Sequence, residues 1–117
     1  MVYFIRAKTH FNYAIRLYEE ILQGKKDLNQ TNLRDIFLQG LKAIYALTEI
    51  NPPSKSPSLE EILKKIFPTL SQEEKEKILA LKELLFSEKD VKFSRDEWIK
   101  KLEEFLELVK ECLTPIL

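Results

Sequence analysis

His10 is the only histidine in this chain of 117 residues, and it stands one helical turn after Arg6 in the opening stretch MVYFIRAKTHFNYAIRLY. An imidazole and a guanidinium on one helix face form a pair able to hold a phosphate, and the imidazole is also the usual general base near neutral pH. Tyr3 and Tyr13 fall on neighbouring positions of the same helix. Arg6, His10 and Tyr13 are therefore the candidate ligand-binding residues. The plainer reading of these residues is a half-exposed polar edge beside a buried stripe. A lone histidine excludes two-histidine metal sites.

Other chemistry finds fewer footholds. Cys112 is the single cysteine, so neither an intramolecular disulfide framework nor a cysteine cluster for zinc is expected, which fits a reducing cytoplasm. It lies on an apolar helical stripe, where a thiol serves as a small buried hydrophobe. The two glycines, Gly24 and Gly40, cannot build a phosphate-cradling loop, so a mononucleotide fold is excluded. Glu60 and Glu61, Glu73, Glu74 and Glu76, and Glu103, Glu104 and Glu107 lie in lysine-dense segments. They read as solvated helix faces with opposite charges one turn apart. A di-metal carboxylate site would need a glutamate followed three residues later by histidine, and that pattern is absent from the sequence. No catalytic residue, cofactor or metal-ligand set is expected.

The elements that would carry these residues are helices. Hydrophobic residues make up 44% of the chain and charged residues 32%, the balance of one helical globule of ordinary domain size. Nineteen basic residues balance nineteen acidic ones, which removes the broad basic field that drives non-specific nucleic-acid binding. Lysine outnumbers arginine 15 to 4, consistent with a heat-adapted source or with an AT-rich genome. No stretch approaches the roughly 20 apolar residues of a membrane span.

Apolar residues at Phe4, Ala7, Phe11, Ala14, Tyr18 and Ile21 recur three and four apart and predict a helix over 3–23, ended by Gly24. A second helix, from about 32 to 50, is apolar on more than one side and therefore central. Gly40 in its middle costs about 1 kcal/mol relative to alanine, which predicts that another helix crosses closely there. The segment NPPSKSP stops this helix. Ser58 with Glu61, Ser71 with Glu74 and Ser94 with Glu97 form three capping boxes. They open helices predicted at 59–67, 72–87 and 95–113. Trp98, Leu102, Phe105, Val109, Cys112 and Ile116 make the main stripe of the last helix, with Ile99, Leu106 and Leu113 in a second row. That second row faces either two neighbours within the chain or a second subunit. The expected architecture is a single all-α domain over 1–117, an antiparallel up-and-down bundle of four long helices plus one short helix.

From Tyr3 to Leu113 this order of helices resembles the HEPN (higher eukaryote and prokaryote nucleotide-binding) domains, in particular small stand-alone prokaryotic members. The pieces that carry the resemblance are AKTHFNYAIRLYEEIL with the GKKD loop after it, GLKAIYAL, SLEEIL after a proline-rich loop, and EWIKKLEEFLELVKECL. Many members of that family are ribonucleases or toxins that place an arginine and a histidine four to six residues apart late in the chain, across a homodimer. The corresponding region here, LKELLFSEKDVKFSRDEW, holds Arg95 with no histidine after it. The resemblance thus implies a non-catalytic homodimer that binds a nucleotide-bearing ligand, or that partners a minimal nucleotidyltransferase in a toxin-antitoxin-like pair. Two alternatives stand beside it: a divergent ribonuclease in which Arg6 and His10 replace the missing motif, and a helical interaction subunit with no nucleotide role.

Overall fold

A computed structural model describes residues 2–48, 57–87 and 93–114, with side chains from Ile5 onward. Five α-helices follow one another: α1 (Val2–Leu22), α2 (Gln30–Ala46), α3 (Leu59–Ile66), α4 (Gln72–Phe86) and α5 (Arg95–Leu113), with a 3-10 turn at Phe67–Thr69 after α3. Among the described residues there is no strand, so the fold is all-α. None of the described helices is long and apolar enough to cross a membrane. Residues 51–56 of the expected loop and the stripe positions Phe4 and Ile116 lie outside the described side chains, and α2, expected to run to about residue 50, ends at Ala46 with Leu47 and Thr48 in a turn.

Several helix ends have a local cause. Gly24, at φ 77°, takes the left-handed conformation after α1. The amide of Lys25 then reaches the carbonyl of Glu20 at 2.8 Å, and that of Gly24 reaches Ile21 at 3.1 Å. This is the Schellman closure, which satisfies two carbonyls the helix would otherwise leave open. Ser71 and Ser94 form the two-way capping boxes expected of them with Glu74 and Glu97. At Ser58 the structure records only the first half, the hydroxyl accepting from the Glu61 amide. The start of α2 lies two residues earlier than the periodicity suggests. Asn29 is its N-cap, its side chain accepting from the Asn32 amide at 2.9 Å, and the first turn is too polar to register as part of an apolar stripe.

The core joins all five helices. Ala7, Phe11, Ala14, Leu17 and Ile21 are buried on α1, and Ile78, Leu81 and Leu85 on α4. On α1 Leu17 takes the inward place expected of Tyr18, which is half-buried. α2 packs against each of α1, α3, α4 and α5, the central position its several-sided apolarity implied. Gly40 is where α5 comes closest: a Cβ there would stand 2.5 Å from Cε2 of Phe105 and 3.2 Å from a methyl of Val109. On α5 the main stripe is buried from Trp98 to Val109, with Cys112 half-buried, and so are Leu106 and Leu113 of the second row. Ile99, the first residue of that row, is half-buried.

Candidate functional site

The three residues singled out on α1 are held differently. Arg6 and His10 flank the buried stripe, each half-buried. The imidazole Nδ1 lies 2.7 Å from the side-chain oxygen of Gln39, to which it donates, so the only histidine ties α1 to α2. Tyr13 is turned outward, 41% exposed, with the guanidinium of Arg16 5.4 Å from its ring centroid. Arg6 and His10 thus share one edge of α1, while Tyr13 stands on the outer face.

Two depressions among the described residues lie on other elements. One lies between α4 and α5, a cleft of about 150 Å³ floored by Leu81, Leu84, Phe105 and Leu108, with Ala80 exposed at its lip. It shares Lys77, Glu104 and Leu108 with a wider opening of about 680 Å³, so the two form one trough along the two helices. Six glutamates line the wider part: Glu73, Glu74, Glu103, Glu104, Glu107 and Glu111. The lysines beside them are partly engaged. Lys77 pairs with Glu73 at 3.2 Å, and the Lys101 ammonium sits 5.2 Å over the ring of Phe93. Among the described residues Glu103, Glu104, Glu107 and Glu111 make no salt bridge. The expected pairing of carboxylates with lysines along the helix faces is therefore met on α4 and not on this face of α5.

At the far end of the same helices, Glu74 and Cys112 meet in a cleft of about 500 Å³ that also includes Thr48, Lys65 and Thr69. One carboxylate oxygen of Glu74 accepts from the Ser71 amide at 2.8 Å, closing the cap of α4. The other accepts from the Cys112 thiol at 3.6 Å. The amide of Ser71 holds the Glu74 carboxyl below the usual carboxylate range. Burial, with the Glu74 charge second, pushes the Cys112 thiol up to about 12. A thiol so held stays protonated at neutral pH and is a poor nucleophile. Burial likewise raises the Tyr18 phenol, with the charge of Glu103 adding to it.

Two arginines that sequence reasoning left without a partner turn out to close helix ends. Arg95 donates to the carbonyl of Ile21 at 2.9 Å and lies 3.4 Å from that of Leu22, so the start of α5 covers the end of α1. Arg34 donates through Nε to the carbonyl of Leu85 at 2.7 Å, its guanidinium 4.9 Å over the ring of Phe86, and covers the end of α4. Cations are favoured at helix C-termini, where open carbonyls gather negative charge. Neither α1 nor α4 carries a basic residue in its own last turn, and the two arginines supply one from another element.

Among the described residues, no three histidine, cysteine, aspartate or glutamate side chains come together so as to hold a metal ion. No family model matches the chain, and neither a curated protein nor a solved structure matches it.

Proposed function

We propose that this chain is a non-catalytic helical subunit that acts by binding another protein. The reading keeps the HEPN-like plan, an antiparallel up-and-down bundle of four long helices and one short one working in a reducing cytoplasm, with a minimal nucleotidyltransferase as the partner. The bond from Arg95 to the Ile21 carbonyl supports its non-catalytic side. Arg95 stands where the family's ribonuclease motif would begin, and its guanidinium instead closes the end of α1. The one imidazole bonds Gln39 of α2 through Nδ1, which leaves Nε2 as the nitrogen that a divergent ribonuclease would have to use. General acid–base catalysis needs such a group set beside the scissile bond. A sensitive RNA-cleavage assay on the wild type and on His10→Ala tests the reading. Cleavage by the wild type that His10→Ala abolishes would establish the divergent ribonuclease instead.

A nucleotide-bearing ligand is the second reading. It is favoured by the exposed ring of Tyr13 beside Arg16, an aromatic face next to a cation that suits a base and its phosphate. A ligand that binds only the folded chain raises its apparent stability. Thermal shift with a panel of nucleotides, repeated on Tyr13→Ala, separates the two readings. A homodimer belongs to either. Its two-fold patch would centre on the outer face of α1, where Ile5 is 65% exposed and Tyr13 lies two turns on. Light scattering at micromolar concentration tests it, and a mass near that of one chain removes it.

A further inference from the structure

From the trough between α4 and α5 we infer that this surface receives a basic amphipathic helix from a different protein. The dimensions suit such an occupant. The walls run along α5 from Lys100 to Glu111 and along α4 from Ser71 to Leu84, and at 1.5 Å per residue these stretches are about 16 and 20 Å long. That is room for about three turns. A helix laid in a groove is read by apolar side chains three and four residues apart. The floor is a short apolar strip under about two of those turns, half-buried Leu84 with the edges of the buried Leu81, Phe105 and Leu108.

Charge decides which helix fits. Of the six glutamates of the trough, Glu73 is paired with Lys77 and Glu74 is held by Ser71 and Cys112, which leaves the four of α5 beside Lys100 and Lys101, the latter lying over Phe93. The α5 carboxylates make no salt bridge among the described residues. Their charges are open to cations flanking an incoming apolar stripe. Such pairs add modest energy at an exposed rim, yet they steer the encounter and reject acidic sequences. A polyphosphate or nucleic-acid backbone would meet repulsion here. A second copy is disfavoured for a related reason. A two-fold axis through the trough would set these glutamates against themselves. The outer face of α1, with Lys8 and Arg16, could enter it only by a head-to-tail contact, which builds a ring or an open filament and not a two-fold dimer.

This inference rests on the reading of the chain as a binding subunit, and the two fail separately. Ribonuclease activity would overturn that reading and leave the trough's occupancy measurable. The probe is a synthetic, fluorescently labelled helix of about 18 residues, long enough to hold its form, with leucines on one stripe and lysines on both flanks. Three chains are compared: the wild type, the triple variant Glu103→Lys, Glu104→Lys, Glu107→Lys, and the single variant Ala80→Arg. All four positions are exposed, and circular dichroism checks that each variant folds.

Fluorescence anisotropy should show saturable binding to the wild type with a micromolar Kd. Binding should weaken about tenfold or more in the triple variant, a difference of about 1.4 kcal/mol, and it should also weaken in Ala80→Arg. A peptide of the same composition with its leucines scattered should bind about tenfold more weakly. No saturable binding overturns the inference. So does equal binding of the scattered peptide, which would show charge attraction alone. A wild-type dimer that the triple variant splits would show that the trough holds a second copy, and would overturn it too.

Discussion

Gly40 of α2 faces the ring of Phe105 on α5 so closely that the smallest side chain would stand 2.5 Å from it. The two helices meet here because the glycine lets the ring lie on the backbone. Phe105 also packs against Phe37, ring centroids 5.2 Å apart, so the contact sits inside the aromatic part of the core. Alanine at position 40 would gain about 1 kcal/mol in helix propensity. It would also force the ring off its seat, at a typical overpacking cost of about 1–3 kcal/mol. Gly40→Ala is expected to be destabilising in chemical denaturation. Phe105→Ala should cost about 3–5 kcal/mol as a large-to-small core change. Gly40→Ala made in that background should be neutral or stabilising, because the ring it strikes is gone. Additive losses in the double variant would contradict the close approach.

Much of this is legible in the sequence alone. A glycine mid-helix in an otherwise helix-favouring segment signals a crossing, and serine followed three residues later by glutamate marks a helix start; both are local signals. The period of apolar residues separates less well between adjacent positions. After Ala14, both Leu17 and Tyr18 keep the spacing, and the side chain without a hydroxyl took the interior. The trough was not legible. Its glutamates look like any solvated face until α4 and α5 are set side by side, a relation no periodicity records. The roles of Arg34 and Arg95 depend on partners 51 and 74 residues away, and only the missing basic residues at the ends of α1 and α4 hinted at them.

Arg95 gives a prediction that separates a structural arginine from a chemical one. Arg95→Ala should lower stability by about 1 kcal/mol, the usual net worth of a hydrogen bond to an open carbonyl. Protection of the last amides of α1 in hydrogen exchange should fall first. Arg95→Lys should recover part of the loss, since an ammonium keeps the charge at the helix end without the fork. Unchanged stability and exchange in Arg95→Ala would count against the capping role.

The bond between His10 and Gln39 makes a second pairwise test. His10→Ala and Gln39→Ala should each destabilise the chain by about 1 kcal/mol. The double variant should lose less than the sum, because the two side chains share one interaction. Strict additivity would mean that the imidazole finds no partner on α2.

Glu74 joins the cap of α4 to the thiol of α5, and this junction sets two pH windows. The Glu74 carboxyl lies below its ordinary 4.5 in the folded chain. Its contribution is present above that ordinary value and is lost as pH falls through the folded one. Melting temperature should drop on acidification, and Glu74→Gln, which keeps an acceptor and removes the charge, should flatten the drop. The Cys112 thiol behaves in the opposite sense. Its folded value is raised from 9.0 to about 12, so unfolding releases a proton across that interval. Stability is full below 9.0 and declines as pH climbs through it toward about 12. Cys112→Ser would not serve as the control, since it also changes polarity in a half-buried site. Thiol labelling reads the group directly instead. At pH 8 the folded chain should react with iodoacetamide about tenfold or more slowly than the chain in denaturant, because the thiolate is the reactive form. Glu74→Gln should speed labelling only in part, since burial is the larger cause of the raised value and survives the substitution. Labelling as fast in the folded chain as in the unfolded one would show that Cys112 is neither buried nor held by Glu74.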